Sequence, residues 1–64
     1  MPFKQWKDKV DERYRDIYGI SLADVGDDDD RLSRAWRNGE EPEEYVRWVG
    51  EKYDLIPLNL AFGL

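Results

Sequence analysis

An all-α fold, a compact three-helix domain with a short extra helical turn and an extended apolar C-terminal tail, is predicted by three features of this sequence. Apolar residues recur at steps of three and four in separate stretches, the spacing of one helix face. Helix-start and helix-stop residues stand at the ends of those stretches. Apolar residues also make up 41% of the chain, which is too rich for a disordered segment even at 39% charged. With 64 residues the chain is one domain, and a domain of this size buries only about 60% of its unfolded surface. It has no cysteine and no histidine, so neither disulfides nor zinc can supplement a thin core, and no cofactor is expected.

The first helix is predicted over about residues 2–18, where Phe3, Trp6, Val10, Tyr14 and Ile17 share one face. Pro2 suits its first turn and Gly19 its left-handed end. The opposite face, with Lys4, Lys7, Asp8, Asp11, Glu12 and Arg15, offers Lys4 with Asp8 and Lys7 with Asp11 at i,i+4, and is expected to be solvated. Ser21, with Asp24 three residues on, resembles a capping box and predicts a short helical turn over about 21–25, ended by Gly26.

Asp27-Asp28-Asp29-Asp30 then supplies a cap and acids at the positive end of a second helix over about 29–38, with Leu32, Ala35 and Trp36 inward. Asn38-Gly39 stops it. Glu40-Glu41-Pro42-Glu43-Glu44 opens a third helix over about 42–53, with proline near the first position and acids in the first turn. Tyr45, Val46, Val49 and Tyr53 are its predicted inward stripe, Trp48 lies beside that stripe, Lys52 complements the dipole, and Gly50 weakens the middle. Residues 55–64 are uncharged. Within them Leu58, Leu60 and Phe62 alternate like a half-buried strand, either folding back over the helices or packing on another chain.

The chemistry these residues can support is narrow. Histidine, cysteine and threonine are absent, and Ser21 and Ser33 are the only hydroxyl nucleophiles besides tyrosine, so a non-enzymatic role is expected. The aspartate run does not fit a calcium loop. Started at Asp27, the position that needs glycine holds Leu32 and the position that needs glutamate holds Asn38. The second and third helices can be drawn as a helix-turn-helix, yet the outer face of the third reads Glu43, Glu44, Arg47 and Glu51, which opposes phosphates.

Net charge is −5 and comes in blocks, with Arg31, Arg34 and Arg37 set between acidic runs. The charged N-terminal stretch lacks the apolar run of a signal peptide, no stretch is apolar enough to span a membrane, and a cytoplasmic location is expected.

The stretch from Trp36 through Asn38-Gly39-Glu40-Glu41-Pro42 to Val46, continued by Lys52-Tyr53-Asp54-Leu55, resembles a form found in short uncharacterised bacterial or phage-encoded helical proteins. That resemblance carries no functional residues. The expectation from the residues themselves is a protein-protein interaction module, binding an unknown partner or a second copy. Its candidate contacts are Trp48, Leu58, Leu60 and Phe62, with Arg31, Arg34 and Arg37 as charged candidates. The rival is a nucleic-acid-related role, through weak binding by the three arginines or through an acidic decoy of a DNA-binding protein formed by Asp27 to Asp30 and Glu40 to Glu44.

Overall fold

The computed structural model describes residues 1–57; the predicted contacts Leu58, Leu60 and Phe62 lie outside the described residues. The fold is all-α, as its periodicity predicts. Among the described residues four helices follow one another: α1 Phe3–Tyr18, α2 Leu22–Val25, α3 Asp29–Arg37 and α4 Pro42–Lys52. The three longer ones are the predicted helices and α2 is the predicted single turn. Pro2, Asn38 and Tyr53, each expected within a helix, instead stand as the flanking residues at helix ends.

The ends are chemically marked. Gly19 closes α1 with φ 70° and donates its N–H to the Arg15 carbonyl. Ser21 Oγ accepts from the Asp24 N–H at 3.1 Å and starts α2. Asp28 is the aspartate that caps α3, accepting from the Arg31 N–H at 2.7 Å, while Asp29 and Asp30 occupy the first turn. At the end of α3, the Gly39 N–H donates to the Trp36 carbonyl and the Glu40 N–H to the Ala35 carbonyl, the doubled bond pattern of a Schellman stop. The same pattern ends α4, with Leu55 N–H donating to the Gly50 carbonyl at 2.8 Å. There an aspartate, Asp54, holds the left-handed position at φ 55° that glycine usually takes.

The core is built from one stripe on each long helix: Trp6, Val10 and Tyr14 from α1, Leu32 and Ala35 from α3, Tyr45, Val46 and Val49 from α4. Phe3, Ile17, Tyr18, Leu22, Val25, Trp36 and Leu55 pack around it, partly buried. Two indoles tie the chain across long sequence separations. Trp6 donates to the Glu40 carbonyl at 2.8 Å, anchoring the α3–α4 turn on α1, and Trp36 donates to the Met1 carbonyl at 2.8 Å.

Three sequence expectations need correction. Tyr53 is not on the inward stripe but 51% exposed, because the backbone leaves helical geometry there, at φ −107°. Lys7 reaches across to Asp29 at 2.8 Å, and Asp11 accepts from Arg15 at 3.0 Å and from the Leu22 N–H at 2.8 Å. This edge of α1 therefore holds α2 and α3 in place and is not a purely solvated face. Gly50 is also more than a weak point in α4. It is buried, and a Cβ there would lie 2.5 Å from Cζ of the Tyr18 ring and closer still to its hydroxyl.

The Gly50 contact makes the effect of a methyl group depend on its neighbour. Gly50→Ala should destabilise the native chain by about 1–2 kcal/mol through overpacking against Tyr18. In a Tyr18→Ala background the same change should stabilise by up to ~1 kcal/mol through helix propensity. Urea unfolding of the four-member cycle, followed by circular dichroism, reads the change of sign.

Candidate functional site: the groove between α3 and α4

The short 38–41 turn folds α4 back beside α3 and leaves a groove of about 700 Å³ between them. From α3 it is lined by Arg31, Arg34, Ala35 and Asn38, from α4 by Glu44, Tyr45, Trp48 and Lys52, and at the turn by Glu40. Glu44, Trp48 and Lys52 stand four residues apart, so helical spacing places them along one ridge, next to the buried stripe begun by Tyr45. Trp48 is 48% exposed. Its ring lies 6.4 Å from that of Tyr45, and the Lys52 ammonium sits 4.8 Å from its centroid, a cation–π contact. Lys52 thus has a second role besides complementing the helix dipole.

Arg31 marks one end of the groove. Its guanidinium donates to the Tyr53 hydroxyl at 3.0 Å, lies 5.7 Å from that ring's centroid, and stands 3.7 Å from Asp27. On its far side is a smaller cavity of about 410 Å³, walled by Ile20, Val25, Asp27, Tyr53 and Leu55 among others. Arg34 is exposed within the groove, and Arg37 is exposed but is not among the groove's lining residues. The three arginines advance by three residues each and so drift around α3, which is why they do not act as one stripe. Tertiary structure brings Arg31 and Arg34 together with Trp48 and leaves Arg37 apart.

The residue that fixes this geometry is Asp27, whose side chain is fully buried. Its Oδ2 accepts from the Tyr45 hydroxyl at 2.5 Å and from the Tyr14 hydroxyl at 3.4 Å, and its Oδ1 accepts from the Asp28 N–H at 3.1 Å. With Arg31 beside it, one carboxylate joins α1, α3 and α4. Among the described residues every buried side-chain nitrogen and oxygen has a hydrogen-bond partner. The sequence places Asp27 with its three neighbours as a cap or an acid at the positive end of a helix. No local signal separates the four, because the two tyrosines that claim Asp27 lie 13 and 18 residues away.

Burial, followed by the Asp27 charge and hydrogen bond, pushes the Tyr14 hydroxyl well above the ordinary tyrosine value of 10.0. Tyr45 is raised in the same sense, first by burial and then by its bond to Asp27. Both are held protonated as donors. Among the described residues, no cluster of three or more acidic side chains is placed to hold a metal ion, and no helix is long and apolar enough to cross a membrane.

No family model matches this chain, and no curated protein or solved structure matches it either.

Two outcomes follow for the Asp27 cluster. Asp27→Ala strands two buried hydroxyls and removes the ion-pair partner of Arg31, and should cost roughly 3 kcal/mol of unfolding free energy in urea denaturation. The folded chain keeps the Tyr14 and Tyr45 protons to higher pH than the unfolded chain does. Their contribution is therefore complete below about pH 10 and is lost as pH rises further. The thermal midpoint should fall above about pH 10, and Tyr45→Phe should make that fall shallower while lowering stability at neutral pH.

Proposed function

We propose that this protein is a non-catalytic protein-binding module, cytoplasmic in location, whose contact face is the groove between α3 and α4. Trp48 is the observation that carries the reading. A large aromatic held at 48% exposure beside a mixed polar and apolar groove is the composition of an interface anchor. Its surroundings suit that task. Lys52 and Tyr45 hold the ring in place before any partner arrives, so little side-chain freedom remains to be lost on binding.

The available functional groups argue in the same direction. The chain lacks histidine and cysteine; Ser21 uses its hydroxyl as a helix cap, and Tyr14 and Tyr45 hold their protons too firmly for acid-base work near neutrality. The absence of cysteine also fits a reducing compartment. The nucleic-acid reading is less favoured. Glu43, Glu44 and Glu51 are exposed on the outer face of α4, and a net charge of −5 repels phosphate backbones. An acidic decoy built on Asp27 to Asp30 is less favoured too, since Asp27 is buried, Asp28 caps α3 and Asp29 pairs with Lys7.

The reading is tested by affinity capture from a nuclease-treated lysate, comparing the native chain with Trp48→Ala. Both chains should give the same helical circular dichroism, because Trp48 is outside the buried core. A protein retained by the native chain and lost with Trp48→Ala is the expected result. Equal retention by both chains, or retention seen only when the nuclease is omitted, would remove the groove as a protein-binding face.

A further inference from the structure

We infer that the occupant of this groove is the α4 helix of a second copy of the chain, packed antiparallel about a two-fold axis through Trp48; the inference rests on the protein-binding reading above. The α4 ridge reads Glu44, Trp48, Lys52, with an acid four residues before the aromatic and a base four residues after it. At 1.5 Å per residue the two charges stand about 12 Å apart along the helix, with Trp48 midway. A two-fold axis at Trp48 reverses the ridge onto itself. Glu44 then faces Lys52 of the second copy, Lys52 faces its Glu44, and the two Trp48 side chains meet in the middle, each against the other copy's groove. An interface of this kind needs one patch that is complementary to itself, which is the requirement of an isologous dimer.

The charges left without an ion pair among the described residues match that pairing. Among the described residues, neither Glu44 nor Lys52 forms an ion pair, whereas Glu43 on the neighbouring face is already paired with Arg47 at 3.5 Å. Lys52 is held over its own Trp48, at the edge of the groove. Arg34 and Glu40 add a second base and a second acid to the same lining, again without an ion pair among the described residues. The buried Ala35 and Tyr45 supply apolar lining beside the exposed Trp48.

Nucleic acid fits this lining less well. A phosphate chain is negative throughout and would meet Glu40 and Glu44, while one face of Trp48 is covered by the Lys52 ammonium. The net charge of −5 on each copy opposes association at long range, but screening over about 8 Å at 0.15 M salt leaves the local pairing in command. A second copy also answers a need of the fold, since a domain of 64 residues without disulfides or zinc has little buried area and gains by oligomerisation.

The test is sedimentation equilibrium of the full chain from about 10 to 500 μM in 0.15 M salt, with circular dichroism confirming the fold of each variant. The native chain should dimerise. Glu44→Lys and Lys52→Glu should each weaken the dimer at least tenfold, because each leaves like charges opposed at both symmetric contacts. An equimolar mixture of these two variants should dimerise again, because every 44–52 contact across the heterodimer then joins unlike charges. Trp48→Ala should be monomeric. A native chain that stays monomeric throughout, a dimer that neither charge variant weakens, or a mixture that fails to re-form the dimer would overturn the proposal. A monomeric chain that still captures a different protein through Trp48 would overturn it too, while leaving the protein-binding reading in place.

Discussion

One buried carboxylate organises this domain. Asp27 sits at the point where α1, α3 and α4 converge, and its oxygens are shared among Tyr14, Tyr45, the Asp28 N–H and the nearby Arg31 guanidinium. A charge taken out of water is costly unless it is bonded on every side, so this arrangement tolerates only one packing of the three helices. Apolar contacts alone would let α4 slide or rotate against α1 at small cost. The hydroxyl of Tyr45 removes that freedom, and since Tyr45 also forms a wall of the α3–α4 groove, the same bond sets the groove's shape.

Around that point the small core is closed by contacts that use polar groups at aromatic tips. Trp6 and Trp36 contribute their rings to packing and spend their N–H groups on the Glu40 and Met1 carbonyls. Gly50 lets the Tyr18 ring lie directly against α4, where any side chain would push it away. These devices suit a chain with few residues, since each aromatic both fills volume and fixes orientation. They also leave Trp48 as the tryptophan not needed for closure, exposed on the ridge between Glu44 and Lys52.

The elements themselves were readable because their signals are local. The Phe3-to-Ile17 stripe, the Gly19 and Gly39 stops, the Ser21 cap, a cap from the aspartate run and the Pro42 start each act over a few residues, and each stands where it was expected. Part of the candidate site was readable on the same basis. Trp48 falls off the inward stripe of α4, and its exposure follows from that offset. Asp27, Gly50 and the partition of the three arginines were not readable, since each depends on a residue from another helix. Tyr53 was misplaced for a related reason: a periodicity continues in sequence past the residue where the backbone stops following it.

Hydrophobic spacing and capping chemistry thus settled the number and order of the helices among the described residues, and their limits to within a residue, because those interactions are made between neighbours in the chain. Only tertiary structure decided which of four adjacent aspartates would be buried, which arginine would latch onto Tyr53, and that Arg34, Trp48 and Lys52 would line one groove. Those outcomes depend on how helices distant in sequence are oriented, and the orientation is set by where a buried charge can be fully hydrogen-bonded.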